Sequence, residues 1–246
     1  MAPIENTARG VSLVTGASSG IGAAIVEKLV ADGWKVVAAA RRVDRLAALS
    51  ARLGARCHAI ALDVTDPDSV LTLIGRLPTE WRAIGVLINN AGHDIGGRTT
   101  FDRQAVDDML STIETNVVGM MRVTHAIVPL MLGRQDGHVV NIGSNAATAA
   151  YAGGTAYVAS KFAVHGFSKA LRLDYLGKIR VTQILPGLVR TEFAKVRHSG
   201  DTAKAAAFYD SHAGYLAPED VANCVAFALD QPPHVNIAEL LVLPSR

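Results

Sequence analysis

Short β-rich runs alternate with longer amphipathic stretches along nearly the whole of this sequence, and that rhythm restricts the fold more than any other feature. Candidate strands are VSLVT (11–15), KVVAAA (35–40), CHAIAL (57–62), VLINN (86–90), HVVNIG (138–143), RVTQIL (180–185) and ELLVL (239–243). The amphipathic stretches between them include 21–31, 102–131 and 157–176. Strand, helix, strand makes a crossover unit, and repeated crossovers cover both faces of a mostly parallel sheet with helices. Because such crossovers are right-handed, the expected topology is doubly wound. The expectation is one α/β domain over 1–246 with a seven-stranded, mostly parallel sheet. Only 189–214 breaks the rhythm: it is polar, carries Gly200 and Gly214, and follows the end of a strand. Segments in that place form the lids and substrate walls of open α/β sheets, or surface insertions with no role.

Composition narrows the classes. The chain has 246 residues, of which 50% are hydrophobic and 19% charged, so it can bury a sizeable core. A net charge of +2 with dispersed basic residues gives no nucleic-acid or membrane surface. The two cysteines, Cys57 and Cys224, lie far apart, and Cys57 sits in an alternating run that reads as a strand with a buried thiol. The eight histidines show no metal-binding spacing, so no metal site is expected. MAPIENTARG lacks an apolar signal core, and no run reaches the ~18 apolar residues of a membrane span. A cytoplasmic location is the expectation.

The first strand runs straight into TGASSGIG, with glycines at 16, 20 and 22. Glycines let a tight strand-to-helix turn bring backbone N–H groups against a pyrophosphate at the positive end of a helix, as in a Rossmann-like fold. The spacing is G-x-x-x-G-x-G rather than the common G-x-G-x-x-G. In folds selective for NAD, a carboxylate at the end of the second strand takes the ribose hydroxyls. Here that strand ends VVAAARRVDRL, with Arg41 and Arg42 after Ala40. Guanidinium forks bind a 2′-phosphate that a carboxylate would repel, which favours NADP(H). Arg42 could instead cap or solvate the helix that follows.

Tyr157 and Lys161 are spaced to share one helix face, one turn apart, with Ser144 upstream in VVNIGSNA. An adjacent ammonium favours phenolate, so the spacing predicts a tyrosine that ionises below its ordinary value of about 10.

TGxxxGIG at 15–22, Asn89-Asn90-Ala91-Gly92, Asn116 in TNVVG, Ser144, Tyr157-x-x-x-Lys161 and Pro186-Gly187 together resemble the short-chain dehydrogenase/reductase family over nearly the whole chain. LPTEW, YAGGTAY and the segment from Pro186 to Arg197 are similar to its NADP-dependent branch of 3-hydroxy acid and serine dehydrogenases and sulfoacetaldehyde reductases. The resemblance implies Tyr157 as general acid in reduction and base in oxidation. Lys161 would bind the nicotinamide ribose, Ser144 the substrate oxygen, and Asn116 a water linking Lys161 to solvent. It also implies cofactor contacts from Gly16, Ser18, Ser19, Gly20, Ile21 and Gly22, with Asp63 and Val64 at the adenine. Asn90, Ala91 and Gly92 would lie under the cofactor, and Pro186, Gly187, Val189 and Thr191 near the nicotinamide. By the same resemblance the assembly is a homotetramer or dimer.

That branch takes small molecules with an acidic group beside the reacting carbon. Arg197 stands where the branch keeps an arginine, and Tyr151, Gly153 and Gly154 could frame the pocket or only turn the chain into the catalytic helix. Two departures fall at the pocket: HDIGGRTTF follows Gly92 where the branch is more apolar, and Asn145 follows Ser144. His93 and Asp94 could therefore make the pocket more polar. A carbonyl reductase for neutral ketones and aldehydes is the competing activity, and a non-catalytic dinucleotide sensor the competing class.

Overall fold

The structure, a computed structural model, describes residues 9–134, 136–198 and 200–245; the reading of the amino-terminal segment falls largely on residues outside these. Seven strands form one sheet: β1 Val11–Thr15, β2 Lys35–Ala40, β3 Cys57–Ala61, β4 Ile84–Asn89, β5 His138–Ile142, β6 Arg180–Pro186 and β7 Glu239–Val242. Their order is β3-β2-β1-β4-β5-β6-β7, and every neighbouring pair is parallel. The chain moves outward from β1 to β3, then returns to β4 on the other side of β1. That reversal opens a crevice at the carboxyl ends of β1 and β4, the standard ligand position in open α/β sheets.

The central strands β1 and β4 are buried at every position, as continuous apolar runs covered on both faces must be. One apolar cluster includes Val14, Ile25, Leu29, Val36, Ile88 and Val225 and lies under helices α1 Gly20–Ala31 and α10 Pro218–Leu229. The other includes Leu13, Val37, Leu87, Ile127, Val139 and Leu171 on the opposite face. Between these lie α2 Val43–Leu53, the short α3 Pro67–Leu71 and α4 Leu73–Arg76, and α5 Val106–Ile113, α6 Met120–Met131 and α7 Thr155–Asp174. Cys57 and Cys224 are free thiols, and Cys57 is buried in β3 as expected. Among the described residues no helix is long and apolar enough to cross a membrane.

The stretch 102–131 is not one continuous α-helix. A 3₁₀ turn at Phe101–Arg103 precedes α5, and Glu114–Gly119 winds as a π-helix before α6. A π segment admits an extra residue per turn and re-aims the side chains around it. Its last residue packs closely: a Cβ on Gly119 would stand 2.7 Å from Cγ2 of Val64. The segment 189–214 also holds regular structure, α8 Phe193–Arg197 and α9 Thr202–Asp210. The Tyr209 hydroxyl pins it, accepting from the Thr191 N–H at 3.1 Å and lying 3.0 Å from Thr191 O and 3.1 Å from Val189 O.

A buried polar chain ties the sheet to α6 and to α7, the helix that carries Tyr157 and Lys161. Asn89 Nδ2 on β4 donates to Thr124 Oγ1 on α6 and to Asn141 Oδ1 on β5, each at 2.9 Å. Asn141 Nδ2 in turn donates to Ser168 Oγ on α7 at 2.9 Å. Removing one member strands the others in a low-dielectric interior. Asn141→Ala is expected to cost about 3 kcal/mol in urea unfolding, from the buried groups it leaves unpaired; a loss under about 0.5 kcal/mol would contradict this role.

Candidate active site

The cleft at the strand ends encloses about 660 Å³ and runs from the first glycine turn past β5 to α8 and α9. At one end, the turn after β1 holds Gly16 at φ 66° and Gly20 at φ 54°. A Cβ on Gly22 would stand 2.4 Å from Gly16 O, and one on Gly16 2.8 Å from Ala91 Cα. The turn therefore closes on itself and on the backbone after β4. Thr15 Oγ1 accepts from the N–H groups of Asn90 and Ala91 at 3.1 and 3.0 Å, locking the two strand ends together. Helix α1 begins here with no acidic residue in its first turn and no side-chain cap, so its N–H groups are left for an anion. This cradle fits a dinucleotide pyrophosphate.

Arg41 and Arg42 lie beside it. Arg42 donates through Nε to Ser18 Oγ at 3.1 Å, through Nη2 to Ser19 Oγ at 2.5 Å, and through Nη1 to Glu192 at 3.0 Å. Arg42 thus stands over the glycine turn, with only its backbone at the start of α2. Arg41 is exposed at the rim. Burial alone would raise the Asp63 carboxyl, but bonds from Thr65 and the charge of Arg41 hold it below its ordinary value. Val64 lines the wall beside it.

At the other end, β5 delivers Ser144, whose hydroxyl accepts from Ala146 N at 3.1 Å and lies 3.3 Å from Asn145 Oδ1. Tyr157 and Lys161 sit in the first turns of α7, both buried. Lys161 Nζ donates to Ile142 O at 3.1 Å and lies 5.6 Å from the Tyr157 ring centroid. The expected lowering of the phenol is overturned. Burial pushes Tyr157 well above its ordinary value, partly opposed by the Ser144 hydroxyl and Arg197. Burial also pulls Lys161 down to about 8, against the pull of Asp94. Desolvation outweighs attraction because the ammonium is turned to a carbonyl rather than to the phenol.

Of the residues expected at the site, Gly22, Asn116, Gly153 and Gly154 do not line the cleft. Gly22 shapes the turn from behind. Asn116 is 2% exposed and spends its side chain on protein: Oδ1 accepts from His93 N at 2.9 Å, and Nδ2 donates to His93 O at 2.9 Å and Ser160 Oγ at 3.0 Å. It is a brace between the π-helix, the turn after Gly92 and α7. Gly153, at φ 79°, is packed so that a Cβ would stand 3.2 Å from Thr99 N. Tyr151 does reach the cleft, and its ring rests so closely on Gly154 that a Cβ there would be 2.3 Å away. The other expected cofactor residues, including Ile21, Asn90, Ala91, Gly92, Pro186, Gly187, Val189 and Thr191, line the cleft.

Arg197 lies inside as expected, its Cζ 5.8 Å from the Tyr157 ring centroid and 5.2 Å from that of Phe193. Its Nε donates to Asp94 Oδ2 at 2.7 Å, and both side chains are nearly buried. Sequence reasoning missed Glu192, Phe193, Arg98 and Phe208. Phe193 packs edge-on against Tyr157 at 5.6 Å, and Arg98 stacks on Tyr151 at 4.6 Å and Phe208 at 5.3 Å. Glu192 meets Arg42 and Arg45 across roughly 150 positions, a separation that leaves no local signal. If Arg42 reads the 2′-phosphate, Arg42→Ala should raise KM for NADPH at least about tenfold and leave that for NADH within about twofold, a fork-to-phosphate contact being lost. Equal changes for the two cofactors would contradict the assignment.

The comparisons with known proteins agree with this geometry. A family profile described as short chain dehydrogenase matches residues 10–201. The serine 3-dehydrogenase of Agrobacterium fabrum is 39% identical over 236 residues, covering 96% of this chain and 94% of that one. The NADP-dependent 3-hydroxy acid dehydrogenase YdfG of Escherichia coli (strain K12) is 41% identical over 236 residues, covering 95% and 94%. A solved serine dehydrogenase in its closed form, complexed with NADP+, superposes with a TM-score of 0.91 at 40% identity, covering 94% of each chain. A glycine cradle with paired arginines, a Ser-Tyr-Lys set at the carboxyl ends of a doubly wound sheet, and these matches give one answer: the chain belongs to the short-chain dehydrogenase/reductase family and is an NADP-dependent oxidoreductase.

Proposed function

We propose that the protein interconverts small 3-hydroxy acids and their 3-oxo forms, with Tyr157 exchanging the proton and Arg197 holding the acid group. The observation that carries this reading is the Arg197 guanidinium, 5.8 Å from the Tyr157 ring. In a 3-hydroxy acid one carbon separates the reacting centre from the carboxyl group, and that span matches a phenol and a guanidinium placed side by side. The names of the relatives support it, since they act on serine and on 3-hydroxy acids.

NADPH, when bound, supplies the hydride to the carbonyl carbon. The chain supplies the rest. A phenol held above its ordinary pKa is protonated at neutral pH, the state a general acid needs for reduction. Ser144 projects from the end of β5 onto the same wall and can donate to the carbonyl oxygen. Lys161 is fixed by the Ile142 carbonyl, and its ammonium, pulled down to about 8, is a stronger acid than the phenol and so a source for the proton that the phenolate regains. Phe193 and Phe208 give the pocket an apolar wall.

Two outcomes test the reading. Tyr157→Phe should lower kcat for reduction by roughly a thousandfold, the range of a lost acid, with NADPH affinity within a few-fold; unchanged turnover would refute the proton role. Across a substrate panel, turnover should be highest where a carboxyl-derived group stands one carbon from the ketone. Preference for unfunctionalised ketones of similar size would refute the substrate class.

A further inference from the structure

The Arg197 anchor is not a free cation. Its Nε is bound to Asp94 Oδ2 at 2.7 Å, with side-chain exposures of 6% and 7%. Asp94 does not line the cleft; it sits behind Arg197, on the turn after Gly92. The guanidinium lies among three rings, with Cζ 5.8 Å from the ring centroid of Tyr157, 5.2 Å from that of Phe193 and 5.4 Å from that of Phe208. One edge is thus taken by a carboxylate, while the group as a whole still lines the pocket. Two opposite charges this close and this dry cancel most of each other's field at a third site.

We infer that Asp94 is a specificity-determining residue which, by pairing with Arg197, turns a cationic anchor into a nearly neutral hydrogen-bond donor, so that the enzyme also reduces neutral 3-oxo esters and amides. This rests on the 3-hydroxy acid reading and extends it. A substrate carboxylate meets a guanidinium whose charge is already offset, and gains little over an ester carbonyl that accepts from the same N–H groups. The ester keeps its own bond to oxygen: its ketone carbon takes the hydride of NADPH, its ketone oxygen takes the proton of Tyr157, and 3-hydroxy ester and NADP+ leave. Tyr151 lines the same wall beside Arg197, and its phenol, which burial keeps protonated, can serve a neutral carbonyl as donor.

The test compares 3-oxobutanoate with its methyl ester, with NADPH, in the wild-type protein and in Asp94→Asn. Asparagine can still accept from Arg197 Nε, so orientation survives while the offsetting charge is lost. In the wild type kcat/KM for acid and ester should agree within about tenfold. In Asp94→Asn the ratio should move toward the acid by about tenfold or more, the size of a charge-assisted bond, mainly through KM. A wild-type preference for the acid of several hundredfold would overturn the inference, as would an unchanged ratio in a folded Asp94→Asn. Since that variant leaves a buried cation uncompensated, the wild-type ratio stands as a test by itself if the variant does not fold. Absence of turnover on both compounds in the wild type would instead overturn the 3-hydroxy acid reading.

Discussion

The hydrogen bond from Lys161 Nζ to Ile142 O, at 3.1 Å, is the contact on which the site depends. It fastens the start of α7 to the end of β5, the strand that delivers Ser144. An ammonium inside a protein is costly unless it is hydrogen-bonded, and one carbonyl offsets only part of that cost. The remainder appears as the depressed ionisation of Lys161. The buried face of α7 continues below it through Val164, Ser168 and Leu171. Chemistry, polar brace and apolar core are therefore successive turns of one helix face. The spacing that puts Tyr157 over Lys161 also puts Ser168 against Asn141, so sheet and site share a register.

The two ends of the cleft are built differently. The cofactor end is backbone geometry: glycines 16, 20 and 22, an uncapped helix start, and strand ends latched by Thr15. The substrate end is side-chain geometry, made by the rings of Tyr157, Phe193 and Phe208 around Arg197. Glu192 joins them, since its carboxylate holds Arg42 and Arg45 at the cofactor end while its neighbour Phe193 packs on Tyr157. Backbone sites are hard to vary and side-chain sites easy, which is why one fold carries many substrates on one cofactor.

The fold was legible because apolar alternation and glycine turns are local signals. All seven strands lie where the runs of VSLVT and its successors put them, with ends moved by a residue or two. The glycine turn, Arg42, Ser144, Tyr157 and Lys161 were legible for the same reason, and all face one cleft. What was not legible depends on contacts between distant segments. The π segment at Glu114–Gly119 ends where Gly119 packs against Val64, and Asn116 within it is held by the backbone of His93. The pairing of Asp94 with Arg197 joins residues 103 positions apart. The direction in which Tyr157 is shifted was misread because spacing shows a neighbouring charge but not how deeply both groups are buried.

Burial, not mutual attraction, sets the ionisation of the Tyr157 and Lys161 pair. Titrating the Lys161 ammonium in the free protein by heteronuclear NMR measures this directly. The expected midpoint is about 8. A midpoint above about 10, where an exposed lysine titrates, would contradict it.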